Sequence, residues 1–98
     1  MKATAEIQVI PIGVGVSLRK EVAQAHQLVI DSGLTYELHG FGTNVEGELG
    51  EILAVVQRIH EVLHAEGTPR LSTTLKLGTR ADQESSLAGK VKAVRDSL

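Results

Sequence analysis

The order in which the hydrophobic period changes along this chain restricts its fold more than any other feature. From Lys2 to Ile12 the residues alternate. Ala3, Ala5, Ile7 and Val9 lie on one side and Thr4, Glu6, Gln8 and Ile10 on the other, the period of a β-strand. Pro11 and the Gly13-Val14-Gly15 run close that segment, because proline lacks a ladder donor and glycine suits turns. Leu18, Val22, Ala25 and Val29 then recur at spacings of four, three and four, one stripe of a helix that Ser17 is placed to cap and Gly33 to end. Alternation returns from Leu34 to Phe41 and from Thr43 to Gly47, around glycines 40 and 42, which predicts a hairpin. Leu49, Ile52, Leu53, Val56, Ile59 and Leu63 form a second helical stripe, closed by Gly67 and Pro69. A fourth strand follows, with Leu71, Thr73, Leu75 and Leu77 opposite Ser72, Thr74 and Lys76. Leu87, Val91, Val94 and Leu98 predict a short C-terminal helix.

Strand, helix, strand, strand, helix, strand is the split βαβ arrangement of a ferredoxin-like α+β sandwich. It predicts an antiparallel four-stranded sheet with both main helices on one face and the other face open. At 98 residues the chain suits a single domain spanning 1–98. The open face is expected to carry Thr4, Glu6, Gln8, Ile10, Glu37, His39, Phe41, Asn44, Glu46, Ser72, Thr74 and Lys76. Its two large apolar groups, Ile10 and Phe41, leave three readings open: a self-association surface, the floor of a ligand site, or an ordinary solvated face.

Composition narrows the partners. A net charge of -2 and 2% aromatic residues provide neither the field for a phosphate backbone nor stacking platforms for bases, so no nucleic acid is expected. No apolar run approaches the roughly 20 residues of a membrane span, and no export signal is visible, so a cytoplasmic protein without a membrane partner is expected. The absence of cysteine removes disulfides, thiolate metal sites and a cysteine nucleophile together.

His60 and His64 stand four apart on the second helix, but neither a zincin glutamate nor an evident third ligand accompanies them, so no metal site is expected. The Gly13 to Ser17 turn lacks the lysine and hydroxyl pair of a phosphate-binding loop, and whether it holds an anion stays open. No serine elbow is present, and Glu46 with His39 reads more readily as hairpin surface than as an acid–base pair, so no catalytic residue is expected. The densest polar cluster is Thr43-Asn44-Val45-Glu46-Gly47. Its hydroxyl, amide, carboxylate and glycine suit the edge of a small heterocycle equally with a hairpin that leads into helix-capping chemistry.

Three segments carry a resemblance to a known family: Ser-Gly-Leu-Thr-Tyr-Glu (32–37), Gly-Thr-Asn-Val-Glu-Gly-Glu (42–48) and Arg-Leu-Ser-Thr-Thr-Leu-Lys-Leu (70–77). Together they are similar to the small thiamine-binding-protein family, over roughly residues 3–80. The resemblance implies the ferredoxin-like fold, homodimers or homotetramers formed through the sheets, no enzymatic activity and no cofactor. It also implies binding of thiamine or its hydroxymethylpyrimidine part. By that similarity Thr43, Glu46, Gly47, Thr73 and Thr74 become ligand-site residues, with Ser17 beside them. Glu46 suits either the thiazolium charge or the pyrimidine amino group, and Phe41 offers a stacking surface.

Overall fold

In the computed structural model, which describes residues 1–98, the first strand, β1, runs from Lys2 to Ile12. It is followed by α1 (Arg19–Asp31), β2 (Thr35–His39), β3 (Gly42–Glu48), α2 (Leu49–Ala65), β4 (Arg70–Thr79) and α3 (Leu87–Asp96). The sheet order is β2-β3-β1-β4, with every neighbouring pair antiparallel. This is the expected ferredoxin-like βαββαβ sandwich with a C-terminal helix. No helix is long and apolar enough to cross a membrane.

The period-two pattern of β1 sets the division between the two faces. Ala3, Ala5 and Ile7 are buried under the helices, and Val45 of β3, which pairs with Ala5, is fully enclosed beside them. The small Ala3 and Ala5 leave room for the helix side chains that complete this core: Ala25 and Val29 from α1, and Ile52, Val55, Ile59 and Leu63 from α2. Removing a side chain of the Val, Leu or Ile type from water contributes about 1.5–3 kcal/mol. The buried stripe of α2 advances by three, four and four residues, which corrects the sequence reading at one step. Val55 is the buried residue of the second turn, whereas Leu53, one position beyond Ile52 and so turned by about 100°, is 47% exposed.

Two further expectations change. Ser17 does not cap α1: Leu18 occupies the N-cap position, no side chain bonds there, and Ser17 is an exposed loop residue. The face opposite α1 and α2 is not left bare either, because α3 lies over part of it. Glu46 accepts a hydrogen bond from the Leu87 backbone N–H at 3.3 Å, and Lys90 donates to the Thr4 hydroxyl at 3.2 Å. Thr4 and Glu46 are register partners, so both contacts of α3 fall on one spot of the sheet. Thr4 is buried there, while α3 itself buries no residue.

Candidate functional site

Successive side chains of a strand point to opposite faces, and this divides the polar cluster of β3. Thr43, Val45 and Gly47 pair with Ile7, Ala5 and Ala3 and share the helix-covered face, whereas Asn44 and Glu46 pair with Glu6 and Thr4 on the opposite one. Thr73 and Thr74 divide in the same way, opposite Val9 and Gln8. The ligand-site candidates therefore do not meet in one place. Gly47 is half-buried on that covered face, where a Cβ would come within 2.5 Å of Leu34 Cδ2, so a larger residue there would displace the Leu34 side chain. Phe41 was expected on the open face of β2. It belongs instead to the turn after β2, which ends at His39, and the residue is 78% exposed.

A cavity of about 210 Å³ lies where α1 meets the end of the sheet and the β2–β3 turn. Ile7, Val9, Val22, Val29, Leu38 and Ile59 supply apolar walls, His26 and Thr43 add polar groups, and Gly40 and Phe41 line it from the turn. Thr43 is buried, and its hydroxyl is hydrogen-bonded to His26 Nδ1 at 3.1 Å. The His26 ring meets Tyr36 edge to face, with centroids 5.3 Å apart. Mostly apolar walls with a few fixed polar groups are the usual composition of a small-molecule pocket.

Glu46 lines a different space. Between α3 and β2 and β3 runs a wider groove of about 650 Å³, whose walls include Glu37, Asn44, Glu46, Lys90, Lys92 and Arg95. The Glu46 carboxylate is held within that groove by the first turn of α3, where the positive end of the helix dipole favours an anion. The capping role envisaged for this carboxylate is thus realised at α3. At α2 the N-cap position belongs to Glu48, whose carboxylate accepts from the N-terminal ammonium at 2.9 Å.

Each histidine has a fixed partner. His60 is hydrogen-bonded to the Thr73 hydroxyl at 2.7 Å, and His64 Nδ1 to the Thr68 carbonyl at 2.8 Å, so their imidazoles engage β4 and the loop before it. No group of three or more His, Asp or Glu side chains is assembled to hold a metal ion. His39 does not face Glu46. Its Nε2 lies 3.0 Å from Asn44 Oδ1 and 3.3 Å from Glu6 Oε2, and its Nδ1 accepts from the Phe41 backbone N–H at 3.2 Å. Beyond β4, the hydrogen bond from the Arg80 guanidinium holds the Asp82 carboxyl below the usual carboxylate range and raises Arg80 in turn. Both are exposed surface groups.

The sequence places His26 at the margin of the buried stripe of the first helix without marking it as a ligand-site residue, and the structure brings it into the pocket. It follows the buried Ala25 in the stripe of α1, and Thr43 is an inward polar position of β3. A polar residue at the edge of a buried helical stripe, opposite an inward hydroxyl, is the signal that pairs them.

Comparison with known proteins identifies the family and the fold. The profile of the family described as Thiamine-binding protein matches residues 5–95. A UPF0045 protein of Synechocystis is 38% identical over 98 residues, covering all of this chain and 81% of the relative. A UPF0045 protein of Methanothermobacter thermautotrophicus is 37% identical over 97 residues, covering 97% of this chain and 98% of the relative. Among solved structures, a Methanocaldococcus jannaschii protein superimposes with a TM-score of 0.89 at 33% identity, over 97% of both chains. A Thermotoga maritima protein assigned provisionally to thiamine biosynthesis or salvage gives 0.84 at 26% identity, over 97% of this chain and 100% of that one. With a match spanning nearly its whole length, this chain belongs to the thiamine-binding protein family.

Proposed function

We propose that the protein binds thiamine through its aminopyrimidine ring, or free hydroxymethylpyrimidine, in the cavity beside His26 and Thr43. The observation that carries this reading is the composition of that cavity: apolar walls, a buried threonine hydroxyl paired with a half-buried imidazole, and an aromatic side chain at the turn. Its size favours a single ring. A cavity of about 150 Å³ accommodates benzene, and drug-sized ligands occupy about 300–1,000 Å³, so about 210 Å³ suits one substituted six-membered ring. The thiazolium would then remain outside, which fits the absence of a carboxylate among the lining residues. Thr43 and His26 would read the ring edge and Phe41 would cover its face.

In this reading the protein acts in carriage, storage or sensing, needs no cofactor and is not an enzyme. His26 and Thr43 resemble a base and a nucleophile, but the same pairing recurs at His60 and Thr73, away from the cavity, which favours a structural role for the contact. We also place the protein in the cytoplasm and read it as a homodimer or homotetramer associating through the open face and α3. Ile10 is 41% exposed on that face, and Val91, Val94 and Leu98 of the C-terminal segment are 49%, 64% and 98% exposed, more apolar surface than a helix with no buried residue accounts for. Light scattering after size exclusion tests the assembly.

Calorimetry with hydroxymethylpyrimidine and with thiamine tests the ligand. Saturable heat from both is expected. No heat from either at roughly millimolar ligand, the weak end of specific affinity, removes the reading. In that case an oligomeric scaffold without a pocket replaces it.

A further inference from the structure

His39 borders both the open face and the cavity. Its Nε2 lies against Asn44 and Glu6, the residue itself lines the rim of the cavity, and its Nδ1 accepts from the Phe41 N–H in the turn that also lines it. A backbone N–H can only donate, so the Nδ1 that receives it carries no proton. The ring proton is then on Nε2, where it faces the Asn44 oxygen and the Glu6 carboxylate.

Protonation acts unequally on these contacts. An imidazolium is a donor at both nitrogens, so Nδ1 loses its lone pair and the Phe41 N–H loses its acceptor. At Nε2 the bond to Glu6 instead becomes charge-assisted and stronger. The Nε2 contacts are kept and the Phe41 N–H loses its side-chain acceptor, which leaves the turn held by the His39–Gly42 backbone pairing alone. The charged groups around it are Glu6 on β1, Glu37 two residues earlier on β2, and Lys76, which stands opposite Glu6 on β4. From α3, Lys92, Arg95 and Asp96 line the groove that reaches Asn44 and Glu37. Of these, Glu6 is the one in contact with the ring, at 3.3 Å.

We propose that His39 is a proton-operated latch: the neutral ring holds the Phe41 turn in its ligand-ready position, and protonation of the ring loosens the mouth of the cavity that both residues line. The ligand part rests on the pocket reading above, but the latch itself can be observed without ligand. Affinity should be highest with His39 neutral and fall by about fivefold on protonation, the factor that one net hydrogen bond contributes.

The test is a two-dimensional NMR titration of the unliganded, full-length protein between pH 5 and 8, the window in which imidazoles change charge, paired with calorimetry of hydroxymethylpyrimidine over the same range. The Phe41 amide is expected to titrate with the same midpoint as the His39 ring. In His39→Gln that titration should vanish together with the fivefold loss of affinity. A Phe41 amide indifferent to pH, or one that titrates unchanged in His39→Gln because His26 drives it, overturns the latch. Absence of ligand heat at every pH overturns the pocket reading, and the amide titration still decides the latch.

Discussion

On the helix-covered face of the sheet, Val45, Ile52 and Leu63 are entirely out of water, and the polar Thr43 and Thr73 each meet a histidine from a helix. On the other face, α3 buries nothing and its bonds to the sheet run from Leu87 to Glu46 and from Lys90 to Thr4. One sheet thus carries two kinds of attachment. The covered face is fixed by apolar burial, which is non-directional and large. The opposite face is joined by a few directional polar contacts, each a net contribution of about 1 kcal/mol. A pocket that must keep its shape belongs on the first kind of face, and a surface that exchanges partners on the second.

Mutations that treat the faces alike should have unequal effects. Ile59→Ala, in the core and lining the cavity, is expected to cost about 2–5 kcal/mol in urea denaturation, whereas Val94→Ala on α3 stays within about 0.5 kcal/mol. Equal losses would mean that α3 packs as firmly as α2. Thr43→Val keeps the shape of the buried hydroxyl but strands the His26 ring nitrogen, so a loss of about 1–3 kcal/mol and weaker ligand heat are expected. Glu46→Gln removes the charge at the start of α3 and should cost about 0.3–1 kcal/mol, read as faster amide exchange in α3 with unchanged ligand heat. A loss of ligand heat in this variant would move the site to the open face. Asp82→Asn should leave the denaturation midpoint unchanged, because its pair with Arg80 is exposed and screened by water.

What was readable in advance follows the same division. The bounds of β1 agree with its alternation from Lys2 to Ile12, and the stripes of α1 and α2 are legible because burial imposes a period on the sequence. Within α2 the order of Leu53 and Val55 was not, since a run of consecutive apolar residues leaves the rotation of the helix loosely specified. The position of α3 over Glu46 leaves no period at all, because two polar contacts between distant segments need only one suitable residue at each end. Ser17 has the right chemistry for a cap, but α1 begins at Arg19, with Leu18 at the cap position. The candidate site shows the sharpest contrast. Thr43 to Gly47 stands out as a polar cluster in the linear chain, yet the pleat directs Thr43 to the cavity and Glu46 to α3. The His26 partner of Thr43 lies 17 residues away in the chain.

A crystal structure of the protein saturated with hydroxymethylpyrimidine tests the central claim most directly. The ring is expected in the cavity between α1 and the β2–β3 turn, in hydrogen-bonding contact with His26 or Thr43 and covered by Phe41. A ring bound instead beside Glu46 in the α3 groove would contradict the account.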